Sequence, residues 1–265
     1  MEKRRVVITG MGTVNPLGNT VSESWSAVQA GQCGIGPITR YDTAEMKVKL
    51  AGEVKNLDID SLLGRRDAKK MDRFTQLALV AADECVSDSG LDREEEKLDR
   101  RGVIFSSGIG GFETVGEAHK RGSERGWDTV SPFMIPMIIS NMAAGHMAIR
   151  YGFQGMCSCV VTACAGGTNA VGDTFRHIRD GYAEVMLCGG AEAAVTPLAM
   201  GGFTAMKALS ESTDPLRASI PFDAERSGFV MGEGAGALQL EEYGHAQARG
   251  ASNYADVIGY AANCD

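Results

Sequence analysis

The sequence predicts an α/β fold with much parallel strand pairing. Two observations carry this. Apolar runs of strand length alternate with segments whose apolar residues recur at helical spacing. No Pro/Ser-rich linker divides the 265 residues, which suffice for one large domain or two small ones around a substantial core.

The elements follow in order. RRVVITGMG reads as a buried strand entering a turn. TVSESWSAVQAG reads as a helix, with Thr20 as N-cap, Glu23 completing a capping box and Gly31 ending it. KKMDRFTQLALVAADECVSDSG sets Met71, Phe74, Leu77, Val80 and Ala81 at helical spacing. LDREEEKLDR (91–100) reads as a solvated connector, and RRGVIFSSGIGG as a strand into a glycine turn. GSERGWDTVSPF reads as loop, and IPMIISNMAAGHMAIRYG as one largely buried helix with Pro136 near its start. GMCSCVVTA is a strand, AGGTNAVGDTFRHIRDG a helix, AEVMLCGGAE a strand and PLAMGGFTAMKALS at least partly helical. STDPLRASIPFDAERSGFVMGEG reads as a long loop. AGALQLEEY is a strand, GHAQARG a short helix and YADVIGYAANCD a closing strand.

Composition narrows the function classes. With 44% apolar and 23% charged residues the chain is an ordinary globular protein, and a net charge of -8 argues against nucleic-acid binding. Any basic patch would be local and would suit an acidic partner. The seven cysteines (Cys33, Cys85, Cys157, Cys159, Cys164, Cys188, Cys264) are odd in number and scattered, unlike a secreted disulfide framework. A reducing cytosol is the simpler setting. MEKRRVVITGMGTV lacks the apolar centre of a signal peptide, and no run of about 18 apolar residues predicts a membrane span.

Glycine clusters invite nucleotide-binding readings, but GMGTVNPLG lacks G-x-G-x-x-G spacing, GEGAGA (232–237) leads into a strand, and no phosphate-loop motif occurs. Tight turns and close packing explain them better. The CSC of 157–159 points two thiols to one strand face, yet no further cluster completes a tetrahedral metal set. Buried structural cysteines are expected there.

Cys164 differs. It stands between a strand over 157–163 and a helix beginning near 165. Such an elbow lifts a nucleophile out of a sheet, and a helix N-terminus favours the thiolate. Gly166 and Gly167 leave room for substrate to approach the backbone. The alternative is an inert buried thiol. A base is then needed. His177 lies about 20 Å along the same helix. His245 sits beside a charged surface segment, His119 in a polar helix, and His146 in an apolar helix as a core residue. None is a convincing partner for Cys164.

The residues also carry a resemblance. VVTACAGGTNAVGDTF resembles the active-site segment of the β-ketoacyl–acyl-carrier-protein synthases. RRVVITGMGTVNPLG, SPFMIPMIISNMAAGHMAIRYG, GGAEAAVTPLAMGGFTAMKALS and PFDAERSGFVMGEGAGALQLEEYGHAQARGA resemble the segments around it, so the match covers essentially the whole chain. It is nearest the elongating, synthase II type of bacterial type II fatty-acid synthesis. The resemblance implies a thiolase-like α/β fold, five layers α-β-α-β-α from two similar halves, and a homodimer. It implies a cytoplasmic acyltransferase that needs no redox or nucleotide cofactor, its acyl groups arriving on the phosphopantetheine of acyl carrier protein. Cys164 would take an acyl chain as a thioester. Malonyl-acyl carrier protein would lose carbon dioxide, and its carbanion would attack that thioester.

Other roles are implied by motif. Ile109 resembles a residue that limits acyl length, and Phe203 a pocket residue near the nucleophile. Arg66, Lys69, Lys70 and Lys207 resemble a basic patch that docks acyl carrier protein, which local charge on an acidic protein would suit. The family's two catalytic histidines, its catalytic-site lysine and its glycine-rich phenylalanine segment lie beyond the last residues, ANCD. Residues 1–252 are therefore expected to form the N-terminal synthase domain, and 253–265 a truncated start of the C-terminal half. The missing part would come from a separate polypeptide or belong to a longer chain of which this is a piece, and the Cys164 backbone N–H would supply only part of an oxyanion hole. Alone, the chain is expected to be inactive, with an exposed apolar face and an unpaired strand near 254–262. A non-catalytic scaffold or carrier-protein-binding subunit, and a polyketide ketosynthase, are the alternatives.

Overall fold

The computed structural model describes residues 3–91 and 97–264. Most of the connector expected at 91–100, residues 92–96, lies outside the described residues. The strands are β1 (Val6–Val14), β2 (Gly36–Pro37), β3 (Leu50–Ala51), β4 (Arg101–Ser106), β5 (Cys157–Ser158), β6 (Val185–Ala193), β7 (Glu233–Glu242) and β8 (Ala255–Val257). The helices are α1 (Val21–Gln29), α2 (Ile59–Leu63), α3 (Arg65–Ala68), α4 (Arg73–Ser89), α5 (Phe112–Arg125), α6 (Met134–Ile138), α7 (Met142–Tyr151), α8 (Gly166–Arg179), α9 (Pro197–Ala205) and α10 (Tyr243–Ala248).

One sheet organises the molecule, in the order β5-β4-β6-β7-β1-β8. Its centre is apolar: every residue of β4 is buried, as befits a strand covered on both faces. Helices α4 and α7 cover one face, where Phe74, Leu77, Ala81, Val103, Met147 and Leu187 pack together. Helix α8 covers the other, where Ala170, Phe175 and Ile178 meet Ile104, Met186 and Leu240. The result is three layers, α-β-α.

Several expectations change. Pairing is parallel only at β4–β5 and β4–β6, whereas β6–β7, β7–β1 and β1–β8 are antiparallel. The chain returns through the long stretch 206–232 before β7, rather than by a helical crossover, so β7 enters reversed. The helix expected over 135–152 is two helices. Gly111 N–H donates to the Ile138 carbonyl at 3.1 Å, and the backbone turns extended at Ile139. Ile135 and Ile149 are exposed rather than buried. The loop expected at 122–133 begins in helix instead: the Trp127 ring lies against Gly122, and α5 runs on to Arg125.

The strand expected over 157–163 pairs only at Cys157–Ser158, because the Ser106 hydroxyl donates to the Val160 carbonyl at 2.7 Å and draws the chain out of the ladder. Cys157 on this edge is exposed, not a buried structural thiol, while Cys85 and Cys188 are buried. Of the strand expected near 254–262 only Ala255–Val257 forms, and it is not unpaired. Ala255–Val257 ladders with β1, and Arg5 holds Asp256 through a paired salt bridge. Thr20 caps α1 by accepting from Glu23 N–H, but Glu23 reaches back to Asn19 N–H rather than to the cap itself.

Candidate active site

Cys164 sits in a single helical turn, Ala163–Ala165, that runs directly into α8. The backbone is bent sharply just before the thiol: Ala163 has φ +48, in a region where a side chain costs about 1 kcal/mol or more. Two contacts hold this bend. Thr162 Oγ1 accepts from Asn169 Nδ2 at 2.9 Å, one turn into α8. Ser106 holds the preceding segment through Val160. The helix then starts flush against β4. A Cβ on Gly166 would lie 2.0 Å from Ser106 Oγ, so only glycine fits. The neighbouring Gly167 has open space beside it and faces a cavity, so of the two glycines it is the one that leaves room for substrate.

The thiol is exposed, which removes the reading of an inert buried cysteine. Beside it opens a cavity of 1120 Å³ whose wall includes Cys164, Gly167, Ile109, Phe203, Phe229 and Met231. The structure thus brings Cys164, Ile109 and Phe203 to one cavity. Phe203 on α9 packs edge to face with Phe229, centroids 5.8 Å apart. Such a wall suits an apolar chain.

Ile109 lies in the short loop between β4 and α5, and that loop closes on a carboxylate. Glu192, near the end of β6, accepts from Gly108 N–H at 2.7 Å, Ile109 N–H at 3.2 Å and the Ser107 hydroxyl at 3.1 Å. Burial pushes the Glu192 carboxyl above its ordinary range, and these donors oppose the shift. Neither Glu192 nor Phe229 was singled out from the sequence. Phe229 sits in a stretch that reads only as loop. The one available sign for Glu192 is a lone acid inside the apolar, small-residue run CGGAEAAV.

The basic candidates divide. Arg66 on α3 and Lys69 just after it are exposed, while the neighbouring Lys70 is half-buried and pairs with Asp67 at 3.3 Å. Lys207 stands apart on a separate element, exposed just beyond α9 in a left-handed backbone conformation. No histidine lines the cavity among the described residues. His177 stacks on Tyr182 beyond the middle of α8, His119 packs on Trp127, and burial holds half-buried His146 below the ordinary histidine range. His245 is not a loose surface group: its ring bonds the buried Glu241 carboxylate.

The model of the β-ketoacyl synthase N-terminal domain matches residues 3–246. The chain belongs to the β-ketoacyl synthase family. It is 48% identical over its whole length to 3-oxoacyl-[acyl-carrier-protein] synthase 2 of Synechocystis sp. and to that of Staphylococcus aureus strain COL, and 47% identical to that of Vibrio cholerae. It spans 64% of the length of each of these relatives. Among solved structures, the ishigamide ketosynthase/chain length factor superposes with a TM-score of 0.86 at 32% identity, over 97% of this chain and 63% of that one. A type II polyketide acyl-carrier protein in complex with its ketosynthase bound to the hexaketide matches with a TM-score of 0.85 at 32% identity, over 96% and 62%. The α/β fold is therefore of the thiolase-like, ketosynthase kind.

Proposed function

We propose that this chain carries the nucleophile and acyl pocket of a β-ketoacyl-acyl carrier protein synthase that elongates fatty acyl chains. The observation that carries this reading is the exposed Cys164 thiol, on a strained elbow at the start of α8, opening on a large apolar cavity. The Cys164 thiol gives up its proton and its sulfur attacks the carbonyl of an acyl thioester; the carrier thiolate leaves and takes up that proton. The acyl chain then lies along Ile109, Phe203 and Phe229. A malonyl thioester loses carbon dioxide, and its carbanion attacks the Cys164 thioester. The carbon–carbon bond forms as the thiolate departs. The cycle has no redox or nucleotide step and so calls for no such cofactor.

Decarboxylation and oxyanion stabilisation need groups that the cavity wall does not offer, since no histidine lines it among the described residues. In this proposal they come from the remaining part of the family's length. Exposed Arg66, Lys69 and Lys207, with Lys70, offer positive charge to acyl carrier protein, an acidic partner. A homodimer in the cytoplasm is proposed as well. The short β5 lies at the sheet edge, and Ile135, Ile139, Met156 and Val161 are exposed. An open edge beside apolar side chains favours pairing with a second copy. No helix among the described residues is long and apolar enough to cross a membrane.

The alternative substrate, a polyketide chain, is favoured by the type II polyketide ketosynthase neighbour at 32% identity, but the 48% identity to 3-oxoacyl-[acyl-carrier-protein] synthase 2 weighs more. The test incubates the protein with acyl carrier proteins bearing fatty acyl or polyketide-type chains and follows Cys164 by peptide mass. Acylation by fatty acyl carrier protein, absent in Cys164→Ala, is expected. Condensation is expected only when the rest of the synthase is supplied. If Cys164 is never acylated, the non-catalytic subunit is the better reading.

A further inference from the structure

We infer that Glu192 is the positioning residue for chain-length discrimination, fixing the Ile109 wall of the acyl cavity by clamping the loop that carries it. The inference rests on the reading of the cavity as an acyl pocket.

Ile109 has no regular element of its own. It sits between the last residue of β4, Ser106, and the first of α5, Phe112. Its position is set by what holds that loop. Three donors from successive residues converge on one carboxylate: the Ser107 hydroxyl, Gly108 N–H and Ile109 N–H. Backbone N–H groups turned together toward an anion form a nest, here filled by a side chain of the same protein. Ser107 Oγ also accepts from Gly110 N–H at 3.1 Å, so the clamp extends across the loop. A Cβ on Gly108 would lie 2.7 Å from Glu192 Oε2, which shows how closely the turn wraps the carboxylate.

The carboxylate belongs to a residue of the central sheet. It projects from β6, which ladders with β4 on one side and β7 on the other. The sheet therefore transmits a fixed position through Glu192 to Ile109. Charge-assisted bonds to backbone N–H groups are stronger than neutral ones, so their loss releases the loop. Glu192, Ile109 and Cys164 all border the same cavity, and any shift of the loop changes the space open to a chain attached at Cys164.

The test labels Cys164 with N-alkylmaleimides from ethyl to decyl and measures each rate by peptide mass at that cysteine. The purified chain is compared with Glu192→Ala, Glu192→Gln, Ser107→Ala and Ile109→Ala, with thermal melting as the control for folding. In the unaltered protein the decyl rate should fall below the ethyl rate. Glu192→Ala should raise the decyl-to-ethyl ratio about tenfold, the discrimination that one methylene carries in an apolar pocket. Glu192→Gln keeps an acceptor oxygen and should return most of that change. Ser107→Ala removes one of the three bonds to the carboxylate, together with the Gly110 contact, and should move the ratio the same way by less, which serves if Glu192→Ala does not fold. A ratio unchanged or lowered in both Glu192→Ala and Ser107→Ala, while Ile109→Ala raises it, overturns the inference and leaves the acyl pocket standing. A flat profile in the unaltered protein overturns the pocket itself, and the inference with it.

Discussion

The thiol of Cys164 is presented by its neighbours more than by its own side chain. Gly166 shows the magnitudes. On an open helix surface, replacing glycine by alanine would gain about 1 kcal/mol of helix propensity. Here the added methyl would meet Ser106 Oγ at 2.0 Å, and overpacking of this kind costs about 1–3 kcal/mol. Packing wins, so Gly166→Ala should lower the melting temperature. The loss should shrink when Ser106→Ala is present as well, measured by thermal unfolding of the single and double variants. Equal losses on both backgrounds would sink this account of the glycine. The same elbow keeps Ala163 at positive φ, held by Thr162–Asn169 and by Ser106–Val160.

At the scale of elements, caps decide where helices join the sheet. Asp72 caps α4 by accepting from Phe74 N–H at 3.3 Å and also accepts from Thr114 N–H and the Thr114 hydroxyl at 2.9 and 2.7 Å. It is 2% exposed, and burial raises its carboxyl above the ordinary range against the pull of the Thr114 bonds. One residue therefore starts α4 and ties α5 to it. Asp58 caps α2 in the same way, but at the surface. Asp58→Ala removes the cap alone and should lower stability only slightly. Asp72→Ala strands two buried donors as well and should cost about 3 kcal/mol. Urea unfolding of both variants checks the ordering, and equal costs would refute the tethering role.

The whole molecule is closed at the end of its sheet by Glu241. Burial alone would raise this carboxyl. Arg249, His245 and Thr9 outweigh it and bring it down to about 2, from an ordinary 4.5. The bonds join β7, β1 and the end of α10, and Arg249 also reaches the Ser89 carbonyl that ends α4. A carboxyl depressed in the folded state stabilises above its unfolded value and loses that contribution as pH falls through the folded one. Glu241 should therefore contribute about 3 kcal/mol at pH 6, lost between roughly pH 4.5 and 2. Denaturant titrations across that window should show the loss, and Glu241→Gln should flatten it while lowering stability at pH 6. An unchanged acid slope in that variant would assign the pH dependence to other carboxylates.

Cys164 was legible in the sequence as a candidate because every part of its signal is local: an apolar run, a cysteine, two glycines and a helix. Alternation of strands and helices likewise follows from residue periodicity, as do the α1 helix with its Thr20 cap and the α4 helix. Strand direction was not legible, since period-two patterns are the same in both senses and only the return through 206–232 reverses β7. The break between α6 and α7 depends on Gly111 taking the Ile138 carbonyl, a contact between segments distant in sequence. The early end of β5 depends in the same way on Ser106 and Val160. Phe229 and Glu192 are ordinary residues until the fold sets one against Phe203 and the other beneath the Ile109 loop. The sequence by itself determined the alternation of elements and the place of the thiol between two of them, because short-range sterics and periodicity specify both. Tertiary structure alone decided the cavity and its clamped wall, because these are made of hydrogen bonds and packing between segments that local sequence leaves independent.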